Sequence, residues 1–165
     1  MSQNDIPSWV QEEFSSHSFS DNRLHQRLLK ITKSLVDAPT LSINQACAEW
    51  AAVKGAYRFF DNDSVSSDLI LEPHYRTTFE RSLSDDRILI VQDSSKINYD
   101  SHKATEGLGP YGISRGYETH GLITHTAIAI NTDGVPLGVI DQKTWARKSQ
   151  GDIKKFSEYK NYKRP

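Results

Sequence analysis

The stretch RILIVQDSSKINY, residues 87–99, decides the fold expected for this chain. Its four consecutive aliphatic residues, Ile88–Val91, are too few for a helix and predict a fully buried strand. Asp93 follows at the carboxyl end of that strand, where Ser94 and Ser95 interrupt the apolar run. A carboxylate held there by rigid backbone is open to a ligand, so Asp93 is a candidate functional residue. In the alternative interpretation, Asp93 hydrogen-bonds the backbone and caps a turn.

The residues that follow predict further strands. A glycine-rich connection over residues 107–121 holds five of the nine glycines and predicts a loop. Apolar and polar residues alternate over 122–131, which predicts a second strand, and Asp133-Gly134 predicts a hairpin turn into a third strand over 135–145. These strands are the front half of a mixed sheet. The helices that would cover such a sheet are missing, so we expect the strand half to be truncated.

The residues before this stretch have helical periodicity instead. Spacings of 4, 3 and 4 predict a buried helical stripe made of Leu24, Leu28, Ile31 and Leu35. Further helices are expected over residues 8–14, 43–62 and 66–83. The fold class predicted is therefore α+β, with an all-helical domain over residues 1–83 and a strand domain over residues 84–165.

Composition predicts a cytoplasmic protein. The net charge is −1, and the single cysteine, Cys47, fits a reducing compartment and predicts a buried, inert thiol. No apolar run approaches the roughly 20 residues that span a bilayer, so no membrane partner is expected.

Basic side chains lie away from the apolar stripe of the second helix. They are Arg23, Arg27, Lys30 and Lys33. Such a row is a modest signal for phosphate contacts, and taken alone it fits an ordinary solvated helix surface better. A second basic segment, over residues 147–164, has the same two interpretations.

Several motifs, in order and spacing, resemble one known family. They are DNRLHQRL (21–28), KGAYRFFDN (54–62), ILIVQDSSKINY (88–99), LGPYGISRGYETHGLITHTAIAIN (108–131) and GVPLGVIDQKTWAR (134–147). The chain resembles the bacterial cut-and-paste DDE transposases related to that of the kanamycin-resistance composite transposon. The resemblance covers roughly residues 9–148 and corresponds to the N-terminal third or so of such a transposase.

The resemblance implies a helical domain that binds transposon-end double-stranded DNA, followed by an RNase H-like domain with three acidic residues. Asp93 matches the first acid, a catalytic metal ligand for one of two Mg²⁺ ions. Arg23, Arg27, Lys30 and Arg58 fall in regions that touch DNA, and Arg58 in the GAYRF motif matches best. Leu24 departs from the family, where another arginine is expected. The family also implies a homodimer on DNA.

Three functions remain open at this stage. The chain is the N-terminal part of a transposase, a non-catalytic DNA-binding fragment, or the relic of a decayed insertion sequence. Because Mg²⁺ needs several converging carboxylates, and the second Asp and the Glu are expected beyond residue 165, we expect the chain to be inactive alone.

Overall fold

The computed structural model describes residues 6–16, 19–102, 104–114 and 117–148, which form helices and one sheet. The helices are α1 (Ser8–Glu13), α2 (Asn22–Asp37), α3 (Ile43–Ala46), α4 (Trp50–Phe60) and α5 (Ser67–Ser82), and the strands are β1 (Ile88–Asn98), β2 (Gly109–Ser114), β3 (Tyr117–Asn131) and β4 (Pro136–Trp145). The α+β class is therefore confirmed. Among these residues, no helix has the length and apolar character needed to cross a bilayer.

The chain divides into two compact units. The first contains Met1–Leu89 together with Ala129–Ile140, and the second contains Ile90–Ile128 together with Asp141–Pro165. The helical domain expected over residues 1–83 lies within the first unit, and its ability to fold alone stays a prediction. The basic segment of residues 147–164, interpreted as either a phosphate-contacting segment or a solvated tail, falls mostly after residue 148, outside the described residues.

Helix α2 forms as its sequence predicts. Asp21 caps its start by accepting a hydrogen bond from the backbone nitrogen of Arg23 at 2.8 Å. Leu28 and Ile31 are 3% and 4% exposed, and Leu24 and Leu35 are partly buried against the same core, so the apolar stripe faces the core. The same core holds residues of α1 and α4: Val10, Val53, Ala56 and Phe59. This shared core fixes α2 and α4 side by side.

The single helix predicted over residues 43–62 is wrong, because the chain breaks between α3 and α4. Ala48 lies at the break with φ of +52°, a left-handed conformation that costs an alanine about 1 kcal/mol. Its neighbour Cys47 is buried in the core, as predicted. Tertiary packing therefore overrides the high helix propensity of the alanines in this segment.

A buried carboxylate connects α1 to α5. Glu13 accepts hydrogen bonds from Nη1 of Arg81 at 2.7 Å, from Nη2 of Arg81 at 3.1 Å, and from Nδ1 of His74. The other ring nitrogen of His74 accepts from the backbone nitrogen of Val139 at 3.0 Å, which attaches β4 to α5. Burial raises the pKa of Glu13, but the bonds from Arg81 and His74 outweigh it, so the net pKa lies below its ordinary value.

The predicted hairpin turn is confirmed. Gly134 has φ of +81°, and its backbone nitrogen donates to the carbonyl of Asn131 at 3.0 Å. The side chain of Asn131 accepts from the backbone nitrogens of Asp133 and Val135, at 3.1 and 2.9 Å, which closes the turn.

Strand β3 pairs with all three other strands. It pairs antiparallel with β2, from Gly109 opposite Gly121 to Ser114 opposite Tyr117. The loop predicted over residues 107–121 is therefore wrong in part, since two segments of it join the sheet. The four described strands are antiparallel rather than mixed. The local glycine content favours a turn, but pairing between β2 and β3 satisfies the backbone N–H and C=O groups of these residues in strand conformation.

Strand β1 departs most from expectation. It extends to Asn98, so Asp93 lies inside it rather than at its carboxyl end, and Asp93 caps no turn. The extended β1 pairs with β3. His125 of β3 adds side-chain bonds to the hydroxyl of Ser94 at 2.8 Å and to the amide oxygen of Gln92 at 3.2 Å. The predicted full burial is also wrong, because Val91 and its apolar neighbours are half exposed.

Candidate nucleic-acid interface

A groove between α2 and α4 brings the predicted DNA-binding residues together. It has a volume of about 480 Å³, and Leu24 and the buried Phe59 are among its lining residues. Phe59 is fixed by an edge-on contact with Phe19, whose ring centroid is 5.8 Å away. The aromatic core therefore anchors α4 against α2. We call this feature the basic groove.

Four basic side chains and one acid line the basic groove. Arg23 and Arg27 come from α2, Lys54 and Arg58 come from α4, and Asp21 is the acid. No hydrogen bond or ion pair of the side chains of Arg27, Lys54 or Arg58 is found within the described residues, so their donors are available to a ligand. Excess positive charge along a groove attracts a polyanion and raises its local concentration.

Gly55 sets the position of Arg27. A Cβ atom at Gly55 would lie 2.1 Å from Nη1 and 2.7 Å from Cζ of Arg27, so the guanidinium rests directly on the backbone of α4. Glycine inside a helix costs about 0.5–1 kcal/mol relative to alanine. Here the missing side chain gives the guanidinium its place in the groove.

Arg23 differs from the other three basic residues of the groove because its side chain pairs with a carboxylate. Its guanidinium donates to both carboxylate oxygens of Asp21, at distances of 2.9–3.2 Å. The hydrogen bond from the Arg23 side chain holds the pKa of Asp21 below its ordinary value. Arg23 is itself 92% exposed, so the pair lies at the mouth of the groove. Asp21 thus offsets part of the charge that Arg23 brings.

Lys30 lies outside the basic groove. It lines a depression on α2 together with Arg27, which is one turn away, and Arg23, which is two turns away. The four residues predicted from the sequence therefore form one basic surface, although only three of them line the groove. Lys54 completes the groove and was missed. Its position directly before the GAYRF motif, four residues from Arg58, is the signal that could have identified it.

Asp93, the predicted catalytic and metal-binding residue, is exposed on β1. Its side chain makes no hydrogen bond or ion pair within the part of the chain that the structure describes. In that same part, no three side chains of His, Cys, Asp or Glu come together as metal ligands. One carboxylate leaves nearly all of a Mg²⁺ coordination shell to water. The residues described around Asp93 therefore do not fit a magnesium centre.

The segment that contains the basic groove is similar to a known protein family. Residues 6–65 match the family model described as transposase DNA-binding. The matched segment extends from α1 to the end of α4 and contains every residue that lines the basic groove. This segment is therefore similar to transposase DNA-binding domains.

Proposed function

We propose that this chain binds the ends of a transposable element as double-stranded DNA and holds them in the basic groove. The observation that supports this most directly is the convergence of Arg27, Lys54 and Arg58 on one groove inside the segment that matches transposase DNA-binding domains.

The two arginines and the lysine suit different parts of the interface. A guanidinium makes paired hydrogen bonds to one phosphate, or to the O6 and N7 atoms of guanine in the major groove. Lys54 acts as a point charge on the backbone. Arg27 lies against the backbone of α4 at Gly55, inside the groove, where its guanidinium can pair with a phosphate.

Anisotropy titration of the full chain against labelled duplexes tests this proposal. One duplex carries the inverted repeat that flanks the chain's own gene, and the other carries the same bases in scrambled order. We expect binding to both at low salt and tighter binding to the inverted repeat. Equal affinity for the two duplexes at every salt concentration contradicts recognition of transposon ends, and no binding at low salt contradicts the DNA-binding role itself.

The resemblance to DDE transposases also bears on the strand half and on Asp93. We propose that the strand half belongs to an RNase H-like domain of the DDE type. In the complete domain, Asp93 would be one of the ligands of Mg²⁺. Its exposure and its lack of a partner among the described residues support an available carboxylate. The test is a chain extended with the downstream sequence, in which Asp93→Asn should abolish strand cleavage and leave end binding intact. Cleavage retained by that variant overturns the assignment.

We also propose a homodimer on DNA, which the same resemblance implies. A dimer holds two transposon ends at once, which a cut-and-paste reaction requires. Sedimentation of the chain with an inverted-repeat duplex should reveal a complex of two chains and two duplexes. A complex whose mass corresponds to one chain and one duplex at every concentration contradicts it.

A further inference from the structure

A second groove lies beside the basic groove on α4 and is lined by aromatic, aliphatic and charged side chains. It is open, with a volume of about 860 Å³, and the buried Val53 is one of its lining residues. Trp50 and Tyr57 line it as well, although they are 78% and 51% exposed. An exposed tryptophan and tyrosine at one groove present flat apolar faces to a ligand. We call this feature the aromatic groove.

The aromatic groove shares two residues with the basic groove. Lys54 and Arg58, one helical turn apart, line both and form the ridge between them. A ligand that crosses this ridge therefore meets cations and aromatic faces together. The chemistry that satisfies both is a nucleotide, in which a phosphate is joined through a sugar to a planar base.

A fully paired duplex cannot use the aromatic faces, because its bases are stacked on each other. Only a base that has left the stack can lie on Trp50 or Tyr57. Asp61, at the same groove, disfavours a second phosphate but accepts hydrogen bonds from the amino group of a base.

From this arrangement we infer that the aromatic groove receives a single base unstacked from DNA whose backbone is held by Lys54 and Arg58. This inference rests on the proposed function, since the basic groove must hold the duplex. It goes further by predicting that the protein prefers DNA with an unpaired or distorted nucleotide.

The test compares two labelled duplexes that differ only by one unpaired thymine in the centre of one strand. The full chain should bind the duplex with the unpaired base about tenfold more tightly, the size expected of one base–aromatic stacking contact. Trp50→Ala should remove this preference and leave affinity for the paired duplex unchanged. Trp50→Phe, which keeps a ring, should retain most of it.

Trp9→Ala is the matched control, because Trp9 is 47% exposed on α1 and lines neither groove. It should keep the preference. A wild-type chain that binds both duplexes equally overturns the inference while the DNA-binding function stands. Loss of affinity for both duplexes by Trp50→Ala also overturns it, since Trp50 then contacts paired DNA. A change only in the association state of the chain assigns the groove to a second copy instead.

Fluorescence gives an independent readout. The chain has three tryptophans, so replacing Trp9 and Trp145 with phenylalanine leaves Trp50 as the reporter. Emission should be quenched by the duplex with the unpaired thymine and change little with the paired duplex. Equal quenching by both contradicts stacking of an unpaired base on Trp50.

Discussion

In the basic groove and on strand β1, a candidate functional residue stands next to apolar residues. The two regions differ in how deeply those apolar residues are buried. In the groove, Phe59 is 2% exposed and locks the helix that carries Arg58. On β1, Val91 is 51% exposed and Asp93 extends from a strand without a packed face. A polar side chain acts from a fixed position only when the apolar residues beside it are buried against a partner. The groove meets that condition within the described residues, and β1 does not.

The largest expected effect is a loss of stability of the first unit when the buried carboxylate of Glu13 is replaced. Glu13→Gln keeps the shape but loses the charge that Arg81 and His74 bond, so we expect a loss of about 2 kcal/mol, the scale for hydrogen bonds to charged groups. Urea denaturation at neutral pH measures it. Glu12→Gln, an exposed neighbour, is the control and should change little. Equal stability of the two variants shows that the cluster does not support the unit.

The pH dependence of the same group adds a second readout. The folded pKa of Glu13 lies below its ordinary value of 4.5. Its contribution is therefore complete above that value and is lost as the pH falls through the folded pKa. Wild type should lose stability relative to Glu13→Gln as the pH is lowered from 5 toward 3. Parallel pH profiles contradict the assigned bonding.

Gly55→Ala separates stability from binding in the basic groove. Alanine should stabilise α4 by about 0.5–1 kcal/mol, because glycine is a poor helix former. The new methyl group displaces the flexible end of Arg27, so DNA affinity should fall toward that of Arg27→Ala. Thermal melting and anisotropy on the same samples give both values. A variant that is more stable and binds DNA as wild type does shows that Arg27 needs no fixed position.

Asp21→Asn should raise DNA affinity severalfold. Asparagine caps a helix as well as aspartate does, so stability should be kept, while the groove loses its acid and Arg23 is released. Asp37→Asn, at the far end of α2, makes the same charge change away from the groove and is the control. If the two variants gain affinity equally, net charge rather than the groove governs binding.

The smallest effect is expected on β1. Asp93→Asn should change stability by less than about 0.5 kcal/mol, because the side chain is exposed and bonds no described residue. A loss of about 1 kcal/mol or more would reveal a structural role for Asp93. Ser94→Ala is a useful comparison, since it removes a cross-strand bond to His125.

The contrast also explains which features could be predicted from sequence. The α2 stripe and the Asp133-Gly134 hairpin depend on residues close in the chain, and both were predicted correctly. The break at Ala48 and the strand pairing of Gly109 depend on distant partners, which local patterns do not reveal. Arg27 and Arg58 were selected through family motifs. Their meeting across a groove with Lys54 required the packing of α2 on α4.

The central claim is that the basic groove holds the DNA backbone, and the salt dependence of binding tests it most directly. The double variant Arg27→Ala/Arg58→Ala is compared with Lys33→Ala/Arg76→Ala, which removes the same charge from residues outside the groove. On one duplex over a series of KCl concentrations, the groove variant should lower the slope of log affinity against log salt by about two units, since each lost phosphate contact accounts for about 0.9. The control should keep the wild-type slope. Equal slopes for the two variants would contradict the account.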